Sequence, residues 1–439
     1  MTRMKPTAAA LILLLGLHAA SQRILSLDEA IASVLEKNFD IRLAKNDSVL
    51  AAIDYSYRNA AFLPRLNANA GTLWNNNAQK QTLSDNTKRD KSGLKSNNLT
   101  AQLALNWTLF DGLKMFATRD RLGQMLEVGV LEIRRQVDTT IASIIDNYYN
   151  IVRQKQQLKA IEEQISIDSE RVRLAQYRLD IGAGAKPDLL QSKIDLNAQR
   201  ASQLQQESLI AQLREQLNQS MGIPQFTQYD VIDTIIINKG ISLGDVLDYA
   251  DRKDPSVAIG AKNIEIARLA LKEARGDLFP TVSFNSAYNF NRTTNQAVLN
   301  NFSTLFNQVK GFNYGFTASI PILNNFNTKR QVRAARWNIQ YQDLAYENQR
   351  SVTALTVITA FVAYEEQKKE LALDEENIAL ARENLDIVLQ MYKLSAATLL
   401  QLKEAQQSLQ DAYNRLIAAR YSAKVSETEL LRLSGQLVK

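Results

Sequence analysis

One pattern runs twice through this 439-residue chain, and it constrains the fold more tightly than any composition figure. Ser26-Leu27-Asp28-Glu29-Ala30 is answered 216 residues later by Ser242-Leu243-Gly244-Asp245-Val246. Leu63-Pro64 is answered by Phe279-Pro280 at the same offset. Leu109-Phe110-Asp111-Gly112 returns as Ile322-Leu323-Asn324-Asn325 at an offset of 213, and Met221-Gly222 returns as Ser434-Gly435, also at 213. Four markers in one order, drifting by three residues, define two homologous halves at about 26–222 and 242–435.

Each half reads helix, strand, polar stretch, strand, very long helix, turn, helix. In the first half (22–222) the spacing predicts a helix over 26–62, strands near 66–74 and 99–110, and a helical hairpin over 113–221. A linker, 223–241, leads to the second half, 242–435. There the same reading gives helices over 242–278, strands near 281–290 and 312–323, and a hairpin over 326–433, with 436–439 as a tail. Each first helix opens at a Ser cap with an acid three residues on, Glu29 or Asp245. Each breaks once, near Asn38-Phe39 or at Asp254-Pro255.

The strands alternate cleanly. Leu99, Ala101, Leu103, Leu105, Trp107 and Leu109 interleave with Thr100, Gln102, Ala104, Asn106 and Thr108. Phe312, Tyr314, Phe316, Ala318 and Ile320 interleave with Asn313, Gly315, Thr317 and Ser319. Period two with polar partners gives one apolar and one polar face. A soluble half-buried sheet shares that pattern. The aromatic apolar face, lengths near ten residues and the polar stretches Asn75 to Asn98 and Asn291 to Gly311 favour tilted membrane strands with external loops. Leu103, Leu105, Trp107, Tyr314 and Phe316 are then expected to face lipid. Gln102, Asn106, Asn313 and Thr317 are expected to face a lumen.

After each second strand, about 113–180 and 327–394 hold good helix formers almost without Pro, each about 100 Å long as one helix. Such lengths imply coiled-coil packing. Ile378, Ala381, Leu385, Val388 and Tyr392 step by three and four. So do Ile165, Asp168, Val172, Ala175 and Leu179, with one polar member. Asp374-Glu375-Glu376 reads as a solvated face. Gly182-Ala183-Gly184-Ala185-Lys186 lacks Walker spacing and follows no strand, so it is a turn.

Composition then narrows the chemistry. There is no Cys, and His18 is the one His. Arg3 and Lys5, an apolar run from Ala8 to Leu17, and Ala19, Ala20 and Ser21 have the order of a secretory signal cleaved after Ser21, so 1–21 is the expected leader. The mature chain then has neither His nor Cys, which removes His-based triads and the common N/S metal sites. No enzyme, metal site or cofactor is expected; paired carboxylates are the one catalytic arrangement left. A net charge of +6 from 52 basic and 46 acidic residues is a dilute surplus, not a nucleic-acid-binding patch. Later stretches are too polar for a transmembrane helix, so any spanning falls to strands. Four strands are too few to close a barrel, because the smallest transmembrane barrels have eight. Copies of the chain must complete the sheet, and eight strands from two or twelve from three both satisfy the arithmetic.

With these markers stand two tyrosine-led turns, Tyr177-Arg178-Leu179 to Asp188-Leu189-Leu190-Gln191 and Tyr392-Lys393-Leu394-Ser395-Ala396-Ala397-Thr398-Leu399-Leu400. Together with the repeat, they resemble the TolC-like outer-membrane efflux proteins over essentially the whole mature chain. The resemblance implies a mainly α chain with a small β part. Its long helical hairpins would form an α-barrel, and a transmembrane β-barrel would be completed by homotrimerisation, four strands per chain. It further implies a passive exit duct in the outer membrane, extending into the periplasm of a Gram-negative-type envelope. A periplasmic membrane-fusion adaptor and an inner-membrane efflux transporter are the implied partners. Docking would fall at the hairpin ends, here Leu179, Gly182, Ala183, Gly184, Leu394, Ser395 and Ala396. A periplasmic gate would fall at Asp188, Tyr392, Gln401 and Glu404, with Asp188 and Tyr392 able to form one closing contact. Gln401 departs from the acid the family carries, and Ala397 from a basic type, which implies a looser closed state with a less negative ring. Asp188 equally fits a plain helix cap after Pro187. The alternative from another class is a coiled-coil tether without an open lumen, against which the polar strand faces speak. A free-standing porin would have short periplasmic turns.

Overall fold

The computed structural model describes residues 23–237, 240–299, 302–394 and 396–437; the expected leader 1–21 and Ser395 lie outside them. In chain order the elements are β1 (Ile24–Leu25), α1 (Leu27–Lys37), α2 (Phe39–Ser56), β2 (Arg65–Thr82), β3 (Lys88–Asp111), α3 (Lys114–Asp180) and α4 (Lys186–Ser220). Then follow β4 (Asp230–Val231), α5 (Leu243–Lys253), α6 (Pro255–Gly276), β5 (Thr281–Asn295), β6 (Phe306–Ser319), α7 (Asn327–Lys393) and α8 (Leu399–Leu433). α3 and α7 each hold 67 residues, and α4 and α8 each hold 35. No helix among the described residues is long and apolar enough to cross a membrane.

Two compact units are formed. The first comprises the chain up to Ile41, Val137–Val246 and Val357 onward; the second comprises Arg42–Gln136 and Leu247–Thr356.

In the first unit the helices pack at heptad spacing. On α7, Val357, Tyr364, Leu371, Leu385 and Tyr392 are buried at multiples of seven residues. On α8, Leu402, Ala405, Leu409, Ala412, Leu416, Ala419 and Ala423 are buried in alternate steps of three and four. That spacing keeps one seam facing its neighbours along a long helix. Two expectations change here. The buried seam of α3 runs Ile161, Gln164, Asp168, Arg171 and Ala175, while Ile165, Val172 and Leu179 are only half-buried. Asp374 is not on a solvated face; it is 4% exposed in the α7 seam, with Arg415 at 3.6 Å. The α7 stripe Ile378, Ala381, Leu385, Val388 and Tyr392 does pack in one core; the α3 stripe and Asp374 differ because a charge can occupy a core position when a partner meets it there.

A second core joins Ala30 and Val34 of α1 to Ile141, Ile144, Tyr148 and Val152 of α3, and to Leu217 and Met221. The Tyr148 hydroxyl donates to the Leu25 carbonyl and accepts from Ile232 N–H, which pins the short parallel pair β1–β4. Asn38 explains the break between α1 and α2. Its side-chain oxygen caps Asp40 and Ile41 N–H, while its amide donates to Ser220 O at 2.7 Å.

In the second unit a four-stranded antiparallel sheet has the order β2-β3-β5-β6. The strands are longer than their alternation suggests. β2 continues past 74 to Thr82, and β3 begins at Lys88 rather than 99, so most of the expected loop Asn75 to Asn98 is a paired hairpin. β5 likewise runs past 290 to Asn295, and β6 spans Phe306–Ser319 rather than 312–323. Ladder hydrogen bonds are indifferent to side-chain polarity, so pairing persists where alternation fades. Pro321, which has no N–H to donate, follows the end of β6.

Each long helix is entered from its sheet through two left-handed residues, Gly112 and Leu113 (φ 73° and 66°) or Asn325 and Phe326 (53° and 59°). At Gly112 an added Cβ would lie 2.2 Å from the carbonyl oxygen of Gly276. Gly112→Ala therefore combines a left-handed penalty with a backbone clash and is expected to destabilise by about 3 kcal/mol or more. A lowered melting temperature of the purified protein would register it; an unchanged melt would refute the junction's rigidity.

Candidate functional site

Two sets of residues carry functional expectations: the faces of the sheet and the ends of the helical hairpins.

The register sorts the sheet faces. Leu103 pairs with Ala68 and Tyr288, Leu105 with Leu66 and Ser286, and Trp107 with Phe284. Phe284 in turn pairs with Phe316, Ser286 with Tyr314, and Tyr288 with Phe312. Paired residues share a face, so Leu103, Leu105, Trp107, Tyr314 and Phe316 lie together. Phe284 and Phe316 have ring centroids 5.2 Å apart, and Phe312 stacks on Tyr314 at 5.6 Å. Trp107 donates its indole N–H to Phe62 O at 2.8 Å. This aromatic face is largely uncovered, with Tyr314 at 70% and Phe316 at 73% exposure.

The opposite face is polar and hydrogen-bonded to itself. Gln102 lies opposite Asn69 and Asn289, Asn106 opposite Asn285, Asn313 opposite Ala287, and Thr317 opposite Ser283. Gln102 donates to Asn289 Oδ1 at 3.0 Å, and Asn285 donates to Thr317 Oγ1 at 3.0 Å. The Thr317 bond runs diagonally across the ladder, which ties two residue levels together. β2 and β6 close the sheet order, and each has one side without a strand partner among the described residues.

In the first unit α3 ends in a tight hydrogen-bonded turn. Gly182 (φ 71°) donates to Leu179 O, and Ala183 donates back to Arg178 O. A Cβ on Gly184 would come within 2.9 Å of Leu179 N, so the chain passes too close for any larger residue. Gly182 and Ala183 are exposed, and Leu179 and Gly184 half-buried. α7 ends similarly, with Leu394 donating to Gln390 O and Ala396 to Met391 O. Leu394 is 79% exposed and Ala396 is also uncovered.

The four expected gate residues are not brought into one contact. Tyr392 is 3% exposed, among Leu385, Leu402 and Leu409. The Arg178 guanidinium stacks 4.2 Å from its ring centroid and donates to its backbone carbonyl. Asp188 is exposed in the first turn of α4 after Pro187, and its main-chain carbonyl accepts from Ser192 Oγ. Gln401 is engaged elsewhere: its Oε1 accepts from Thr398 N–H while its own N–H donates to Thr398 Oγ1, the capping box of α8. Glu404 is exposed one turn on. Arg178, invisible to spacing rules, is therefore the residue that ties α3 to Tyr392.

Above that contact sit two further ties from the same side of α3, at Arg171 and Glu163. Arg171, 2% exposed, donates to Gln406 Oε1 of α8 at 2.7 Å and to Asp195 Oδ2 of α4 at 2.6 Å. Lys403 reaches the same Asp195 oxygen at 3.0 Å. Asp168 accepts from Gln164 and Gln406, both at 3.3 Å. Burial raises the Asp168 carboxyl despite Arg171 beside it, and hydrogen bonds from Gln191 and Lys403 with the Arg171 charge outweigh burial to lower Asp195. At Glu163, the Tyr413 hydroxyl of α8 donates at 2.6 Å, and Arg382 of α7 joins the pair. Among the described residues no cluster of His, Cys, Asp or Glu is placed to hold a metal.

Arg171→Met strips the cation from between two carboxylates and is expected to cost about 3–5 kcal/mol. Adding Asp168→Leu and Asp195→Leu should recover most of that loss in a thermal melt; no recovery would mean that Arg171 acts through packing alone.

Asp146 carries a separate pH dependence. Burial, then the Glu429 charge, raises it from 3.8 to about 6, and Oδ1 has no hydrogen-bond partner among the described residues. Glu429 itself is paired with Arg432. The folded state therefore holds a proton that the unfolded chain releases, so stability is full below about pH 4 and falls as pH rises towards 6. The loss above that is of order 3 kcal/mol. Asp146→Asn should melt higher than the parent at pH 7.5 and level with it at pH 4; parallel curves across that range would contradict the shift.

Comparison with known proteins follows the same lines. Residues 30–223 and 246–436 match the family model described as outer membrane efflux protein. The outer membrane protein TolC of Salmonella enteritidis is 21% identical over 434 residues, 97% of this chain and 86% of that protein. The cation efflux system protein CusC of Escherichia coli K12 is 21% identical over 413 residues, 92% of this chain and 85% of that one. In fold, the Campylobacter jejuni CmeC outer membrane channel superposes with a TM-score of 0.76 at 17% identity, covering 94% of this chain and 86% of that chain.

Proposed function

This chain belongs to the outer membrane efflux protein family, and from that premise we propose that it is the outer-membrane exit duct of a tripartite efflux or secretion system, working as a passive homotrimeric channel. The observation that carries this reading is the sheet: one aromatic face, one self-bonded polar face and two open edges. In lipid an unpaired edge costs several kcal/mol for each backbone group left unbonded. Pairing β6 of one copy with β2 of the next removes both edges. Three copies give the twelve strands that the family resemblance implies. Leu103, Leu105, Trp107, Tyr314 and Phe316 then face lipid, and Gln102, Asn106, Asn313 and Thr317 line the lumen.

The helices support the same assembly. Val362, Leu373, Leu380 and Ile387 of α7 are 53–62% exposed at intervals of eleven or seven residues, a second apolar stripe beside the buried seam. A neighbouring subunit would cover it. The matched lengths of α3 with α7 and α4 with α8 support two copies of one ancestral unit.

The turns at Leu179, Gly182, Ala183, Gly184, Leu394 and Ala396, with Ser395 outside the described residues, are the proposed docking tip for a periplasmic adaptor, which links the duct to an inner-membrane pump. The gate is proposed at the same end. Arg178 on Tyr392 joins the two hairpins within one chain, while exposed Asp188 and Glu404 are available to a neighbouring subunit. Gln401, held in its capping box, adds no charge to the constriction.

Mass measurement of the detergent oligomer followed by single-channel recording tests this reading. Three chains and a small conductance are expected, rising several-fold in Arg178→Ala and in Asp188→Ala. Tyr392→Phe keeps the ring under Arg178 and should leave conductance near the parent value. A monomer, or an oligomer that never conducts, would favour the envelope tether instead.

A further inference from the structure

We propose that the far end of the sheet's aromatic face is a binding site for a glycolipid carrying two phosphates, such as stands in the outer leaflet of an outer membrane. The proposal rests on reading this sheet as a membrane barrel segment.

Three cations mark the place. Arg292 pairs in register with Leu99, and Lys310 pairs with Phe290, which itself pairs with Ala101. Lys95 pairs with Asn76, two residues beyond the Trp74–Asn97 pair. By strand parity all three lie on the face that carries Leu103, Tyr288 and Tyr314. All three are exposed, and none forms an ion pair among the described residues. The acids of the paired segments are already engaged. Asp90 pairs with Lys80 at 2.9 Å, Asp85 accepts from Thr87 N–H, and Asp111 caps Met115. The cations are thus left for a ligand.

Between Lys95 and Arg292 lies an open groove of about 450 Å³, lined also by Trp74, Asn97 and Thr294 among others. Trp74 is 70% exposed, a flat apolar surface of the kind that stacks on a sugar ring. Below the groove the same face turns apolar through Phe290, Phe312 and Tyr288, which suits acyl chains.

Height agrees with this placement. Between Trp107 and Asn97 the strand rises about 34 Å, or about 24 Å for a tilt near 45°, which matches the apolar band of outer-membrane barrels. Trp107 and Trp74 therefore mark the two borders of the band; Lys95 and Arg292 stand two residues to either side of the border far from the helices, and Lys310 two residues further in. Spacing selects the ligand. Arg292 and Lys310 are diagonal neighbours, about 8 Å apart at their Cα atoms, whereas Lys95 lies about 14 Å from Arg292, four residues and one strand away. A single phosphodiester reaches one of these points. A phosphorylated disaccharide reaches both, with Arg292 forking one phosphate and Lys95 holding the other.

The test uses the full-length oligomer in detergent and native mass spectrometry, with purified bis-phosphorylated lipid A, its mono-phosphorylated form and phosphatidylglycerol as probes. The bis-phosphorylated lipid should be retained best, and excess inorganic phosphate should not displace it. The double variant Lys95→Gln with Arg292→Gln should lose its binding at least tenfold. Lys88→Gln with Arg89→Gln removes the same charge near the hairpin end and should lose less than twofold. Equal loss in both variants, no loss in the first, or equal retention of phosphatidylglycerol would overturn the site. Oligomer mass and conductance from the same preparation keep the two readings apart. A conducting trimer with no charge-dependent lipid binding refutes this site alone, whereas a preparation that neither assembles nor conducts refutes the membrane reading and this site with it.

Discussion

Backbone pairing at the edges of one small sheet governs the rest of the molecule. A four-stranded antiparallel sheet in water tolerates two open edges, because solvent bonds the free N–H and C=O groups. In hydrocarbon nothing does, and a chain that brings only four strands is incomplete by itself. The exposed aromatic face adds to that demand. It is a liability in water and an asset in lipid, the setting proposed for this sheet. The polar face, with Gln102 bonded to Asn289 and Asn285 to Thr317, satisfies its own groups before any water enters.

The helical unit meets a different requirement. Helices of 67 residues need a seam that holds over many turns, and heptad spacing supplies it. A uniformly apolar seam would let helices slide by a turn with little penalty. Here the seam is interrupted by Asp168, Arg171 and Gln406, and by Tyr392 under Arg178. Each polar tie is satisfied in one register and leaves a buried charge in the others. The charges thus fix alignment, a role better supported for buried ion pairs than net stabilisation.

This division explains which parts of the fold were legible in the sequence. The helix pairs, the strand faces, the cap at Ser26 and the break at Asp254-Pro255 follow from local rules: period two, period seven, a short polar side chain ahead of a helix, and a proline that restricts the residue before it. The far reach of β2 and β3 was hidden because Asn, Lys and Thr on both faces erase alternation while the ladder continues. The α3 seam was hidden for the converse reason. Asp168 was legible as a polar member of the seam, but Arg171 looks like a surface residue until its partners arrive from α4 and α8, and pairing across 24 or 235 residues leaves no local trace. β1 and β4, two residues each, are held by a distant Tyr148 hydroxyl and carry no pattern of their own.

The hairpin ends show how far motif position can be carried into geometry. Gln401 occupies a position where the family can place an acid, yet its side chain is committed to the α8 N-terminus, where a Gln fits the capping box with Thr398. An acid there would serve the cap equally well and add charge to the constriction, so the departure removes charge while keeping the helix start. Arg178 adds a stacked cation to Tyr392 inside one chain. In the gate proposed at these ends, a closed state would rely less on repulsion-prone acids facing across an axis and more on a contact between hairpins. Arg178 can leave Tyr392 only by giving up both the stacked ring and the main-chain acceptor, so in the proposed gate opening would move α3 and α7 apart at this level.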